Sequence, residues 1–255
     1  NKANAYFTRS SSLAGLAIEK LNQLKTLEPS NTAIDKKLAE IYYLKNDFSK
    51  AADAYSRFAM GPTANEEDLV KYAFALFLNH DFAKSLEVAN MGLKKNPRHA
   101  AFNRLAMYNN TDLKRFEEAL KAADVFFNEC DKADYSYLDY MYYGHLLEEL
   151  KKYDEAVGQY EKAVELDPTK TDLYKNISSA YEQKNDYKKA IGAYHKYYSS
   201  LEKEKQTPDL QFQLGRLYYG AGTQPDSLTI NAEERKQALM SADSVFERRV
   251  IFMIC

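Results

Sequence analysis

The sequence predicts an all-α chain of solenoid type, a linear stack of antiparallel helix pairs. Three observations carry this prediction. A short motif recurs along the chain at a nearly constant step. Two apolar stripes of helical period fall inside each step. Helix breakers are scarce, with 9 Gly and 6 Pro among 255 residues, which favours long helices joined by short turns.

The motif is polar, aromatic, two polar residues, then a small residue. It reads Asp47-Phe48-Ser49-Lys50-Ala51, then Asp81-Phe82-Ala83-Lys84-Ser85 and Arg115-Phe116-Glu117-Glu118-Ala119. Lys152-Tyr153-Asp154-Glu155-Ala156 and Asp186-Tyr187-Lys188-Lys189-Ala190 follow. The small residues therefore step by 34, 34, 37 and 34. One more step of 34 backwards lands on Ala17, which opens the similar Ala17-Ile18-Glu19-Lys20-Leu21. A fixed period of this length marks a repeat architecture.

Each small residue starts a helical stripe. Four places on lie Leu21, Tyr55, Ala89, Ala123, Tyr160 and Tyr194, and seven places on lie Leu24, Phe58, Gly92, Phe126, Ala163 and Tyr197. Pro29, Pro97 and Pro168 stand twelve places on, with Pro62 one place early, and they end the helix. Twelve places upstream lies a second small residue, Ala39, Ala73, Gly144 or Ser178, flanked by pairs such as Leu38 and Tyr42 or Ile177 and Tyr181. That is a second helix, preceding the first. Small residues at both places let the two backbones approach where the helices cross, while large neighbours fill the space beside them.

On these residues the chain resembles the tetratricopeptide repeat family, a 34-residue helix A, turn, helix B unit with a closing Pro. The resemblance runs over nearly the whole chain. It implies a right-handed superhelix whose A helices line a concave groove, and a protein-binding scaffold rather than an enzyme.

The expected units are 1–31, with helix A shortened, then 32–65, 66–99, 100–136, 137–170 and 171–207. The three extra residues fall within 128–136, and Met107 takes the small position of the fourth unit. A seventh, interrupted unit spans 208–255. Leu214-Gly215-Arg216-Leu217-Tyr218 fits its helix A, a Gly-rich stretch at 220–230 reads as loop, and Ala242 with Phe246 fits helix B about 15 residues late. The apolar run at 250–255 suggests a surface on which more structure stacks, and a natural chain that continues.

Composition narrows the function classes. The net charge of -2 and the lack of a basic stripe argue against nucleic acid. No apolar run nears the roughly 20 residues of a membrane span, so no membrane insertion is expected. The first twelve residues hold no apolar signal core. The compartment stays open, cytoplasmic or, after loss of a leader, periplasmic or secreted. Cys130 and Cys255 form no metal-ligand spacing. No phosphate loop, nucleophile elbow or zinc-helix pair is present. His80, His99, His145 and His195 read as ordinary surface or partly buried histidines, and the many Glu pairs as solvated helix faces. No catalytic residue, cofactor or metal is expected.

The resemblance places groove positions on the A helices: Lys36, Glu40 and Tyr43; Val70, Phe74 and Phe77; Arg104 and Tyr108; Met141, His145 and Glu148; Lys175 and Glu182. Val70, Phe74 and Phe77, with Tyr43 and Tyr108 on either side, make an apolar run where exposed helix positions are normally polar. They are the candidate peptide anchor, unless a tight superhelix makes them bury one another. Arg104, Met141, His145 and Lys175 extend the candidate groove. Some members of the family hold a C-terminal carboxylate with Lys and Asn one turn apart. Here that place holds Lys36 and Glu40, and Glu40 would repel the anion. The expected partner is a protein or peptide segment. Self-association through the repeat ends, or service as the targeting arm of a larger chain, is the alternative.

Overall fold

In a computed structural model, thirteen α-helices run through the described residues, 2–61, 64–130, 134–223 and 232–254, and no strand is present among them. Side chains are described for 13–61, 64–130, 134–223 and 233–247 except Arg235. The chain divides into two units, Asn1–Ala133 and Asp134–Cys255.

The first unit holds α1 (Lys2–Leu27), α2 (Thr32–Leu44), α3 (Phe48–Phe58), α4 (Glu66–Leu78), α5 (Phe82–Lys95), α6 (Ala100–Asp112) and α7 (Phe116–Asn128). The second holds α8 (Tyr137–Glu149), α9 (Tyr153–Leu166), α10 (Leu173–Gln183), α11 (Tyr187–Ser200), α12 (Pro208–Thr223) and α13 (Ala232–Ile254). Within each unit every B helix packs on its own A helix and on the next A helix.

The turn between A and B is built the same way five times. Asn46, His80, Lys114, Lys151 and Asn185 adopt left-handed backbone, with φ of 58°, 61°, 58°, 59° and 59°. At the first, Asn46 N donates to Tyr43 O at 3.0 Å and Asp47 N to Tyr42 O at 2.9 Å, which satisfies the last carbonyls of α2. The residue that closes helix A then caps helix B. The Asp47, Asp81 and Asp186 side chains accept from Lys50 N, Lys84 N and Lys189 N. Arg115 and Lys152 take that place without a side-chain cap.

The small residues meet at the helix crossings. Ser85 Oγ donates to Ala73 O, and Ser178 Oγ to Ala190 O, both at 2.8 Å. A Cβ on Gly144 would lie 2.7 Å from the Tyr160 ring, so only glycine fits that crossing. Met107 is fully buried in its place.

Two stretches differ from the sequence expectation. Residues 2–27 form one continuous helix, not a shortened hairpin. They hold no Pro and a single Gly15, so nothing in them breaks a helix. Helix α12 carries on through Gly220, Ala221, Gly222 and Thr223, where composition suggested loop. A Cβ on Gly220 would lie 2.4 Å from the Tyr187 ring, and Ala221 is buried. Packing against α11 therefore holds the helix where propensity would end it. The rest of that expected loop, 224–230, lies outside the described residues, as do the side chains of 250–255. Gly215 and Phe246 do meet, since a Cβ on Gly215 would lie 2.7 Å from that ring.

Candidate functional site

On the A-helix side of the first unit a cleft of about 450 Å³ opens between α2 and α4. Glu40, Tyr43, Leu44, Tyr55, Lys71 and Phe74 line it. Helix α2 presents Glu40, Tyr43 and Leu44, because these fall off the stripe of Ile34, Asp35, Leu38 and Ala39 that the fold buries. Leu44 is 82% exposed at the rim. Tyr55 comes from α3 behind and is 1% exposed. Burial, reinforced by Glu40 and Tyr43, holds its phenol well above the ordinary range, so the hydroxyl keeps its proton. Burial also raises Tyr43, with Lys71 opposing. Lys71 Nζ pairs with Glu67 Oε1 at 2.8 Å, and Glu40 with Lys37 at 3.0 Å. The rim charges are therefore largely neutralised, and the interior is apolar.

Next to this cleft the same positions are closed. One repeat after Tyr43 and Phe74 come Phe77 and Tyr108, whose ring centroids lie 5.5 Å apart. Phe77 is 8% and Tyr108 1% exposed. Those two bury each other between α4 and α6 and offer no free surface. Val70 is partly buried and does not line the cleft.

The cationic groove positions follow a rule. Lys36 Nζ lies 5.8 Å from the Phe58 ring centroid, Arg104 5.0 Å from Phe126, and Lys175 5.0 Å from Tyr197. Each pair is 22 residues apart. Where the helix-B partner is small, at Gly92 or Ala163, the A position is apolar, Val70 or Met141. These cations cover the rings of their own repeats. Lys36 also bonds the buried Asp68 at 2.7 Å.

In the second unit, His145, Glu148, Glu149, Lys151, Tyr153, Asn176 and Gln183 line a polar cleft of about 380 Å³. Tyr160 donates its hydroxyl to Glu148 Oε2 at 2.8 Å, and Ser179 Oγ donates to Oε1 at 2.9 Å. Met141 is half-buried, and Lys175 is exposed. Among the described residues no cluster of His, Cys, Asp and Glu could hold a metal ion, and no helix is long and apolar enough to cross a membrane.

Of the sequence-chosen residues, Glu40, Tyr43 and Phe74 share the apolar cleft. Leu44 completes it on α2, Lys71 on α4, and Tyr55 from below. Sequence reading placed Tyr55 in the core. Its stripe position gave no sign that it also floors a cleft.

The tetratricopeptide repeat family model matches residues 138–170. Over those residues the chain is a tetratricopeptide repeat. Solved structures share the fold across the rest. The C-terminal part of a repeat-containing protein from Cytophaga hutchinsonii superposes with a TM-score of 0.64 at 15% identity, covering 98% of each chain. A tetratricopeptide repeat protein from Parabacteroides merdae gives 0.61 at 19% identity, over 94% of this chain and 96% of that one. MamA from Desulfovibrio magneticus gives 0.59 at 18% identity, over 69% of this chain and 97% of its own. No curated protein matches the sequence.

Proposed function

We propose that this protein is a non-catalytic scaffold that holds a segment of a partner protein on the A-helix face of its first unit. Tetratricopeptide repeats generally mediate protein–protein contacts, and that general role is the starting point. The observation that carries the specific reading is the α2–α4 cleft. A tyrosine, a phenylalanine and an 82%-exposed leucine surround it, where a solvated helix face would be polar. Apolar walls with paired charges at the rim suit an anchor side chain of an extended or helical segment.

The test is partner capture from the native lysate with wild type and a Tyr43→Ser/Phe74→Ser variant. Circular dichroism checks that the variant remains helical. Phe77 is left intact, because it is core. A partner held by wild type and lost by the variant supports the reading, and a partner retained equally by both overturns it.

A second reading has its own observation. Leu13, Leu16, Leu24 and Leu27 lie along one stripe of α1 and are 58%, 52%, 45% and 79% exposed. Such a stripe favours self-association through the first helix. Sedimentation velocity of wild type against a Leu13→Lys/Leu16→Lys variant tests it. A wild type that stays monomeric at high concentration removes it.

A further inference from the structure

Three tyrosines occupy the same helix-B position, four places after the small residue: Tyr55, Tyr160 and Tyr194. Two of them meet their hydrogen-bonding need within the fold. Tyr160 donates to Glu148 Oε2 at 2.8 Å, and Tyr194 donates to Leu210 O at 3.0 Å. Tyr55 is as deeply buried, at 1% exposure, yet its hydroxyl has no hydrogen-bond partner among the described residues. The repeat register accounts for the difference from Tyr160. The place that holds Glu148 beside Tyr160 holds Tyr43 beside Tyr55, and Tyr43 makes no hydrogen bond to it, while Tyr194 uses a backbone carbonyl instead. The Tyr55 phenol feels the charges of Glu40, Asp68 and Glu67. Glu40 and Tyr43 also line the cleft, so the hydroxyl sits at the cleft floor.

We propose that the α2–α4 cleft is an anchor pocket for an aromatic side chain whose tip accepts a hydrogen bond, a tyrosine of the partner segment. This rests on the partner-binding reading above and narrows it. The walls, Tyr43, Leu44 and Phe74, take the ring. Once a ring fills the cleft, water leaves the floor and the Tyr55 O–H must find its acceptor on the ligand, as the Tyr160 and Tyr194 hydroxyls find theirs within the fold. A leucine or phenylalanine anchor strands it, at the cost of an unmet buried hydrogen bond. A phenol oxygen accepts from it, whereas an indole N–H only donates and leaves it unmet. A carboxylate tip would have to leave water for an apolar cleft, which disfavours it. Tyr55 stays protonated and so has the O–H to donate.

The test uses the peptides acetyl-Gly-Ser-X-Ser-Gly-amide, with X as Trp, Tyr, Phe, Leu or Glu, and the full chain. The chain has no Trp, so indole emission reports the ligand alone, and a blue shift reports its burial. The methyl resonances of Leu44 report occupancy of the cleft for every peptide. The expected result is that the Tyr peptide binds about tenfold tighter than the Phe and Trp peptides, the scale of one buried hydrogen bond. The Glu peptide should not shift Leu44. In Tyr55→Phe the gap between Tyr and Phe peptides should close, with the helical signal unchanged. If that variant fails to fold, the Tyr-to-Phe gap in wild type decides alone. Equal binding of the Tyr and Phe peptides, with Leu44 shifting for both, overturns the tyrosine-tip inference and leaves the partner-binding reading standing. No Leu44 shift with any peptide up to its solubility limit overturns both.

Discussion

Phe77 and Tyr108 close on each other at 5.5 Å between α4 and α6, while Tyr43 and Phe74, the same two positions one repeat earlier, stand on the walls of an open cleft. A further instance, Glu148 and Ser179 in the second unit, is joined by a hydrogen bond of 2.9 Å. One pair of positions thus serves as core, as cleft wall and as polar link.

The difference between Phe74 and Phe77 is measurable. Phe77→Ala opens a cavity in a packed interface and should cost about 3–5 kcal/mol. Phe74→Ala removes a ring that faces the cleft and should cost less than about 1.5 kcal/mol. Urea unfolding of both variants checks this, and equal losses would show that Phe74 is core after all.

The crossing of α8 and α9 leaves no room for a methyl group. Gly144→Ala places a Cβ 2.7 Å from the Tyr160 ring, which forces the ring or the helices to move. The expected loss is about 1–3 kcal/mol. Gly158→Ala is the control, since nothing lies within 4 Å of its Cβ, and it should gain slightly from helix propensity.

The left-handed turn residues point the other way. Lys114 and Lys151 hold φ of 58° and 59°, where a side chain is penalised by roughly 1–2 kcal/mol and glycine is not. Glycine adds unfolded-state entropy of about 0.5–1 kcal/mol. Lys151→Gly should therefore raise stability by about 0.5–1 kcal/mol. An unchanged or lower denaturation midpoint would mean that the lysine side chain contributes there.

Stability should depend on pH through His195. Its Nε2 lies 2.7 Å from the Tyr218 hydroxyl, and burial depresses its pKa below the ordinary 6.5. Only an unprotonated Nε2 accepts from that hydroxyl. Because the folded value is the lower one, the unfolded chain takes up the proton first as pH falls. The contribution is present above pH 6.5, declines below it, and is lost once pH passes below the folded value. Urea midpoints at pH 7.5 and 5.5 should differ more for wild type than for His195→Gln. An equal difference in both would assign the pH dependence to other groups.

How legible these features were depends on their range. The Ala73–Ser85 and Ser178–Ala190 contacts follow from small residues twelve places apart, a pattern inside one hairpin. The cation–ring pairs at 22 places are likewise visible once the repeat is aligned. Three other features could not be read that way. Helix α1 runs through an expected turn because its residues have no reason to stop. Helix α12 crosses two glycines because Tyr187, from a neighbouring helix, packs on Gly220. Tyr55 matches Tyr160 and Tyr194 in pattern, and only the assembled neighbours, a Glu148 side chain for one and a Leu210 carbonyl for the other, separate the bonded hydroxyls from the unbonded one.

By itself the sequence determined the helix pairs, their register and the small residues at each crossing. These arise from contacts within about 34 residues, which local chemistry specifies. The tertiary structure decided which aromatic pairs close and which stay open. That choice depends on which side chains meet across adjacent A helices, rings at Phe77 and Tyr108 and a cleft at Tyr43 and Phe74. It therefore belongs to the assembled repeats, and no single repeat carries it.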